Sequence, residues 1–267
     1  MSDIKAEELV LGSNVVIEPT AKIRGVNGRA KRVVIGDNVY IGAGVQIICD
    51  DFALGDYSKI QHAANIHGYK PCKIGHNAWI GQYTIIDSIG GTIIGDNCGI
   101  GAHSQIWSHI KYGDTLEGCR FLSEKQMHIG KDVWFVGHCI VSPIRAEDKS
   151  MAMAGSVVTK DMAFNQIYAG APAKSISDKV GFQFVEVKIE DKLRILRTYL
   201  AEFETRYTPK HNLRIVEDVS MVNFTDDYSY FDVSTRNYKK TRSPDEVNFM
   251  KYLLPSKAKF TPFSANL

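Results

Sequence analysis

Histidine is the side chain best suited to exchanging protons near neutral pH, and the eight histidines of this sequence are unevenly placed. His109 closes the stretch Gln105-Ile106-Trp107-Ser108-His109 and stands just before a segment, from about Ile110 to Met127, that interrupts the surrounding pattern. An imidazole at the root of a projecting loop suits removal of a proton from an attacking hydroxyl. Asp87, in Ile85-Ile86-Asp87-Ser88-Ile89-Gly90-Gly91, offers a carboxylate. It could accept hydrogen bonds from a bound molecule's hydroxyls, orient the imidazole, or satisfy turn amides. His103 and His138 each follow an aliphatic or aromatic position by three residues (Ile100 and Phe135). They are expected to stack as an outward polar ladder, with metal binding or assistance to a base at a subunit boundary as the other uses.

The elements that must position these groups follow from a six-residue period. Aliphatic residues fall at Leu11, Ile17, Ile23; Ile35, Ile41, Ile47; Leu54, Ile60, Ile66; Ile74, Ile80, Ile86; and Ile94, Ile100, Ile106. They continue at Ile129, Phe135, Val141 and, more weakly, at Ala146, Ala152, Val158. Four residues after these positions, small or β-branched side chains prevail, as at Val39, Val45, Ser58, Ala64, Ala78, Thr84, Cys98, Ser104, Val133 and Cys139. This period fits neither a helix nor a simple alternating strand. It fits short strands and corners, three to a triangular coil, with each coil stabilised by stacking on the next. Glycine follows the first member of five triplets, at Gly36, Gly55, Gly75, Gly95 and Gly130, and is expected to ease the turn by adopting positive φ. The third side is the irregular one. Asp51, Lys70 and Arg145 occupy its fourth positions, and the chain is longer than the period there.

The repeat, with the closing segments Ala154-Gly155-Ser156-Val157-Val158-Thr159-Lys160-Asp161-Met162 and Ala169-Gly170-Ala171-Pro172-Ala173-Lys174, resembles the hexapeptide-repeat acyltransferases. The likeness is to the galactoside, maltose and polysaccharide O-acetyltransferases, over roughly residues 11 to 178. It implies a mainly β fold, a left-handed parallel β-helix spanning 1–178. It further implies a homotrimer using acetyl-CoA to acetylate a sugar hydroxyl, as in surface polysaccharide or lipopolysaccharide biosynthesis. On this likeness His109 is the general base, and from its place in the repeat Asp87 is expected to contact the acceptor. Coenzyme A is expected to lie along Trp134, Gly137, Ala154, Thr159, Lys160 and Lys174, the lysines meeting its phosphates. The coil from Arg145 to Ala152 is one residue short of the period. His62 and His67 are spaced as in γ-class carbonic anhydrases, but no histidine precedes them, so no metal site is expected. A hydratase of that class and a non-catalytic β-helix scaffold are the alternatives.

Composition sets the remaining bounds. With 32 Lys+Arg against 30 Asp+Glu and no long basic block, binding to nucleic acid through bulk charge is not expected. No apolar run reaches the ~20 residues of a membrane span, and acids stand where a secretory signal carries basic residues. Five scattered cysteines without a C-x-x-C pair fit free thiols in the cytoplasm. The region 179–267 reads as a small α+β appendage. A helix is expected over Ile189 to Phe203, with strands around Leu213 to Val216, Ser220 to Phe224 and Tyr228 to Val233. A capping box at Ser243-Pro244-Asp245-Glu246 opens a helix to about Leu254. The aromatic residues of this region are expected to serve mainly as its core.

Overall fold

The computed structural model describes residues 3–210 and 212–263. Its contacts divide the chain into two compact units, Met1–Phe184 and Val185–Asn266.

The first unit is a left-handed parallel β-helix with three faces. Strands such as Ala30–Ile35, Asp51–Leu54, Cys72–Ile74, Thr92–Ile94 and Met127–Ile129 build the first face. Tyr40–Ile41, Lys59–Ile60, Trp79–Ile80, Gly99–Ile100 and Trp134–Phe135 build the second. Lys22–Arg24, Gln46–Cys49, Asn65–Gly68, Ile85–Asp87 and Gln105–Ile106 build the third. Successive coils pair in parallel and in strict register, Ile66 beside Ile86 and Ile86 beside Ile106. The large residues of each triplet from Ile35 onward are buried, as is every small residue named four places after them. Each fully buried isoleucine contributes on the order of 1.5–3 kcal/mol, so a stack of coils is stable where one coil is not.

Two details correct the sequence reading. Leu11 is 45% exposed. It ends the strand Asp3–Leu11, which pairs with Lys22–Arg24 and then with Ala30–Ile35 at the base of the stack. Ile4 and Ala6, rather than Leu11, pack against the core there. The glycines after the large residues do not take positive φ. That backbone belongs to corner residues two places later, among them Asn38 (57°), Tyr57 (58°), Asn77 (57°) and Asn97 (64°). What excludes a side chain is coil-to-coil approach. A Cβ on Gly95 would sit 2.7 Å from the carbonyl carbon of Gly130.

The tight corners are stitched from coil to coil. Asp37 Oδ1 accepts from the Ser13 amide at 2.7 Å, Asp56 Oδ1 from the Asp37 amide at 2.7 Å, and Asp96 Oδ1 from the His76 amide at 2.9 Å. His76 takes the place of an aspartate in this series, its Nδ1 accepting from the Asp56 amide at 2.9 Å. The short coil after Val141 is filled by Ile144, which is buried. Beyond Ile167–Gly170 the chain doubles back antiparallel as Ala173–Ser175 and ends the second sheet.

The second unit contains the helices Ile189–Tyr207 and Pro244–Leu253 and a four-stranded sheet. Its strands are Leu213–Val216, Ser229–Asp232, Asn237–Tyr238 and Thr261–Pro262. Phe203, Phe231, Tyr238 and Phe249 form its buried aromatic core, with Phe249 5.1 Å from both Phe203 and Phe231. Ser243 caps the second helix by accepting from the Glu246 amide. Glu246 bonds Thr241 and Arg242 instead of reaching back to its cap. The strand expected over Ser220 to Phe224 does not form. Asp218 caps a short 3-10 turn, Val219–Met221, by accepting from the Ser220 amide at 2.7 Å.

Candidate active site

The chain passes from the third face to the first through crossings of unequal length, and the chemistry-bearing residues gather there. The longest crossing carries a small hairpin in which Ile110–Lys111 pairs antiparallel with Leu122–Ser123. Met127 then rejoins the core, fully buried. The same edge brings His67, Asp87 and His109 together from three consecutive coils.

Asp87 is fully buried at the centre of this cluster. Its Oδ1 lies 2.9 Å from His109 Nδ1 and accepts from the Ser108 amide at 3.0 Å and from Ser108 Oγ at 2.5 Å. The Ser108 hydroxyl in turn accepts from the Gly90 amide at 2.9 Å, and Thr92 Oγ1 donates to the Asp87 carbonyl at 2.6 Å. Both the side chain and the backbone of Asp87 are thus held from neighbouring positions. An ionised carboxylate accepts only, so His109 donates from Nδ1 and leaves Nε2 with a lone pair. The His109 ring is 19% exposed and meets Trp107 edge-on, with centroids 6.1 Å apart. Such a pair can take a proton from a group brought to Nε2, while the carboxylate fixes the ring and balances the charge it acquires.

Of the uses open to Asp87, this geometry favours orienting the imidazole over contact with an acceptor. A carboxylate with no exposed surface, beneath His109 and Ser108, meets the imidazole and not a molecule arriving from solvent. His67 was missed by the sequence reading as a member of this cluster. Its Nε2 is 3.6 Å from Asp87 Oδ2, and the register Asp87↔His67 follows from aligning the repeat. His62 lies elsewhere, on the corner between the second and third faces, edge-on to Tyr83. The two ends of the H-x4-H spacing therefore do not converge.

That corner carries the expected histidine ladder. His103 and His138 are exposed and stacked, with centroids 4.9 Å apart and planes at 15°, and Tyr83 stacks below His103 at 5.0 Å. Parallel rings present faces to each other rather than converging nitrogens. Among the described residues, no group of three His, Cys, Asp or Glu side chains could hold a metal ion.

The residues expected along the donor occupy the upper coils. Trp134 is an exposed side chain on the second face, laid against Gly99, where an added Cβ would lie 3.0 Å from its ring. Gly137 (φ 149°) and Ala154 share the corner between the second and third faces, where the Gly155 amide donates to the Gly137 carbonyl at 3.0 Å. Thr159 and Lys160 lie just beyond the strand Val157–Val158 of the third face, and Lys174 lies in the returning strand Ala173–Ser175. All four of Ala154, Thr159, Lys160 and Lys174 are exposed. The six residues thus spread over more than one corner of a single chain.

The stacked coils and their six-residue period define a left-handed β-helix protein built of hexapeptide repeats. Residues 32–61 and 71–106 match the family model described as the hexapeptide repeat of succinyl-transferase. The chain is 29% identical to the galactoside O-acetyltransferase of Escherichia coli (strain K12) over 140 residues, 49% of this chain and 65% of that one. It is 26% identical to the bifunctional protein GlmU of Listeria welshimeri over 186 residues, 58% of this chain and 36% of that one. Among solved structures, the polySia-specific acetyltransferase NeuO is similar at 21% identity and a TM-score of 0.46, covering 76% of this chain and 97% of that one. The resemblance to hexapeptide-repeat acyltransferases is therefore borne out, although the chain spans only 22% to 65% of the length of the curated relatives it matches.

Proposed function

We propose that this protein is a coenzyme A-dependent O-acetyltransferase that acetylates a sugar hydroxyl in surface polysaccharide or lipopolysaccharide assembly, working in the cytoplasm as a homotrimer. The observation that carries the reading is the pairing of the partly exposed His109 with the buried Asp87, 2.9 Å apart at the root of the hairpin loop. His109 Nε2 takes the proton of the acceptor hydroxyl as its oxygen attacks the thioester carbonyl. The new C–O bond forms, the C–S bond breaks, and the imidazolium returns the proton to the departing thiolate. Asp87 acts as a positioning residue that sets the tautomer and stabilises the imidazolium.

The surface of the upper coils suits an extended donor. Small residues at Gly137, Ala154 and Gly155 keep one corner low, and an added Cβ at Gly155 would meet nothing within 4 Å. Thr159 can bond the pantetheine amides. Lys160 and Lys174 supply exposed cations for the phosphates, and Trp134 supplies an exposed aromatic face. Because these positions lie on separate corners of one chain, threefold assembly is the arrangement that lets a second chain complete the donor groove.

His109→Ala tests the reading directly. Calorimetric titration with acetyl-CoA is expected to give an unchanged affinity, while thiol release with a sugar acceptor falls by roughly 10²–10⁴-fold. Unchanged turnover in this variant would overturn the role of His109.

A further inference from the structure

Beside the buried Asp87, at the edge of the third face, lies a groove that neither Asp87 nor His109 lines. Register places Arg24, Ile48, His67 and Asp87 side by side on four successive coils at the edge of the third face. The lengthened crossings rise beside them, and together they enclose a cavity of about 380 Å³ lined by Arg24, Ile48, Asn65, His67, Tyr69 and Ile89 among others. Its chemistry is uneven. Ile48 is half-buried at the middle, Tyr69 is 67% exposed at the rim, and the charged side chain at the far end is Arg24.

Arg24 has no carboxylate within ion-pairing distance among the described residues. Its Nη1 donates to the carbonyls of Gly25 at 2.9 Å and Val26 at 3.3 Å. These bonds hold the guanidinium at the level of its own coil and leave its other N–H donors for a ligand. A half-buried arginine with a fixed head and no acidic partner is a ready recognition point for a planar anion. Coils are spaced by about 4.8 Å, so three steps put the Arg24 level roughly 14 Å from the level of Asp87.

The geometry points to an acceptor subsite along this groove, with Arg24 selecting an acidic oligosaccharide. A carboxylate on the acceptor pairs with Arg24, sugar rings lie over Ile48 and against Tyr69 and His67, and the reacting hydroxyl reaches His109. The span excludes a lone monosaccharide from making both contacts. This assignment rests on the transferase reading above and deepens it.

The test uses full-length protein and two probes of equal length, tetragalacturonate and its fully methyl-esterified form, titrated without donor. Acetyl-CoA is titrated separately into the same preparation. The acid is expected to bind at least 10-fold more tightly than the ester. Arg24→Gln is expected to abolish that preference with no change in melting temperature or acetyl-CoA affinity, and Arg24→Lys to restore part of it. Equal binding of the two probes, or a preference that survives in Arg24→Gln, overturns the subsite whether or not acetyl-CoA binds. Preference for the acid without acetyl-CoA binding keeps the subsite and removes the transferase reading.

Discussion

His109 Nδ1 and Ser108 Oγ converge on one oxygen of Asp87, at 2.9 and 2.5 Å, although Asp87 lies a full coil earlier in the chain. Parallel stacking creates this relationship. The strands Ile85–Asp87 and Gln105–Ile106 pair in register, so the last residue of the first meets the residues just beyond the end of the second. One buried oxygen then fixes both the loop root and the imidazole.

Replacing Asp87 by Asn keeps the volume but presents an amide to His109. The ring is expected to lose its fixed tautomer, lowering turnover by about 10²–10⁴-fold with acetyl-CoA affinity retained. A steady-state assay beside calorimetry separates the two effects, and a loss confined to donor binding would count against a positioning role.

Ser108→Ala removes the hydroxyl that donates to Asp87 and accepts from the Gly90 amide. Leaving the Gly90 amide unpartnered and removing one of the donors to Asp87 costs about 1–3 kcal/mol, to be read in urea unfolding. Turnover is expected to fall less than in Asp87→Asn, because the His109 contact survives.

Gly95→Ala places a methyl carbon 2.7 Å from the Gly130 carbonyl carbon. Backbone cannot retreat cheaply in a stack of coils, so roughly 1–3 kcal/mol of destabilisation is expected. Gly28→Ala makes the contrast, since a Cβ there meets nothing within 4 Å. Its positive φ of 121° still imposes strain, of about 1–3 kcal/mol, so the comparison separates coil-to-coil clash from backbone conformation. Melting temperatures and circular dichroism of both variants measure this.

Trp134→Ala strips an exposed aromatic face from the second sheet without opening the core. Stability is expected to change by under about 1 kcal/mol, whereas acetyl-CoA is expected to bind several-fold more weakly. An unaltered dissociation constant would remove Trp134 from the donor site.

In the second unit, hydrogen bonds from Tyr252 at 2.6 Å and Lys257 at 3.1 Å hold the Glu202 carboxyl below the usual range. A carboxyl depressed in the folded state adds stability above its unfolded value, which is lost as pH falls through the folded one. Glu202→Gln is expected to weaken protection of the helix Ile189–Tyr207 at neutral pH. The difference from the unaltered protein should vanish under acid conditions. Hydrogen exchange across pH 3–7 measures it.

Much of the β-helix was legible in the residues because its period is local. An isoleucine every sixth position, with a small partner four places on, defines which side chains face inward whatever the neighbouring coils do. The place of His109 at the root of the longest crossing was legible for the same reason, since the period breaks just after it. The appendage was harder, and Ser220 to Phe224 misled, because Asp218 captured the local amide that a strand would have offered to a neighbour. Only the stacked structure decided which distant residues meet. Crossings of unequal length set how each coil sits above the last. That registration buried Asp87 under His109, brought His67 beside it, and lined up Arg24 on the same edge, since residues some twenty apart in sequence become neighbours across a single inter-strand spacing of about 4.8 Å.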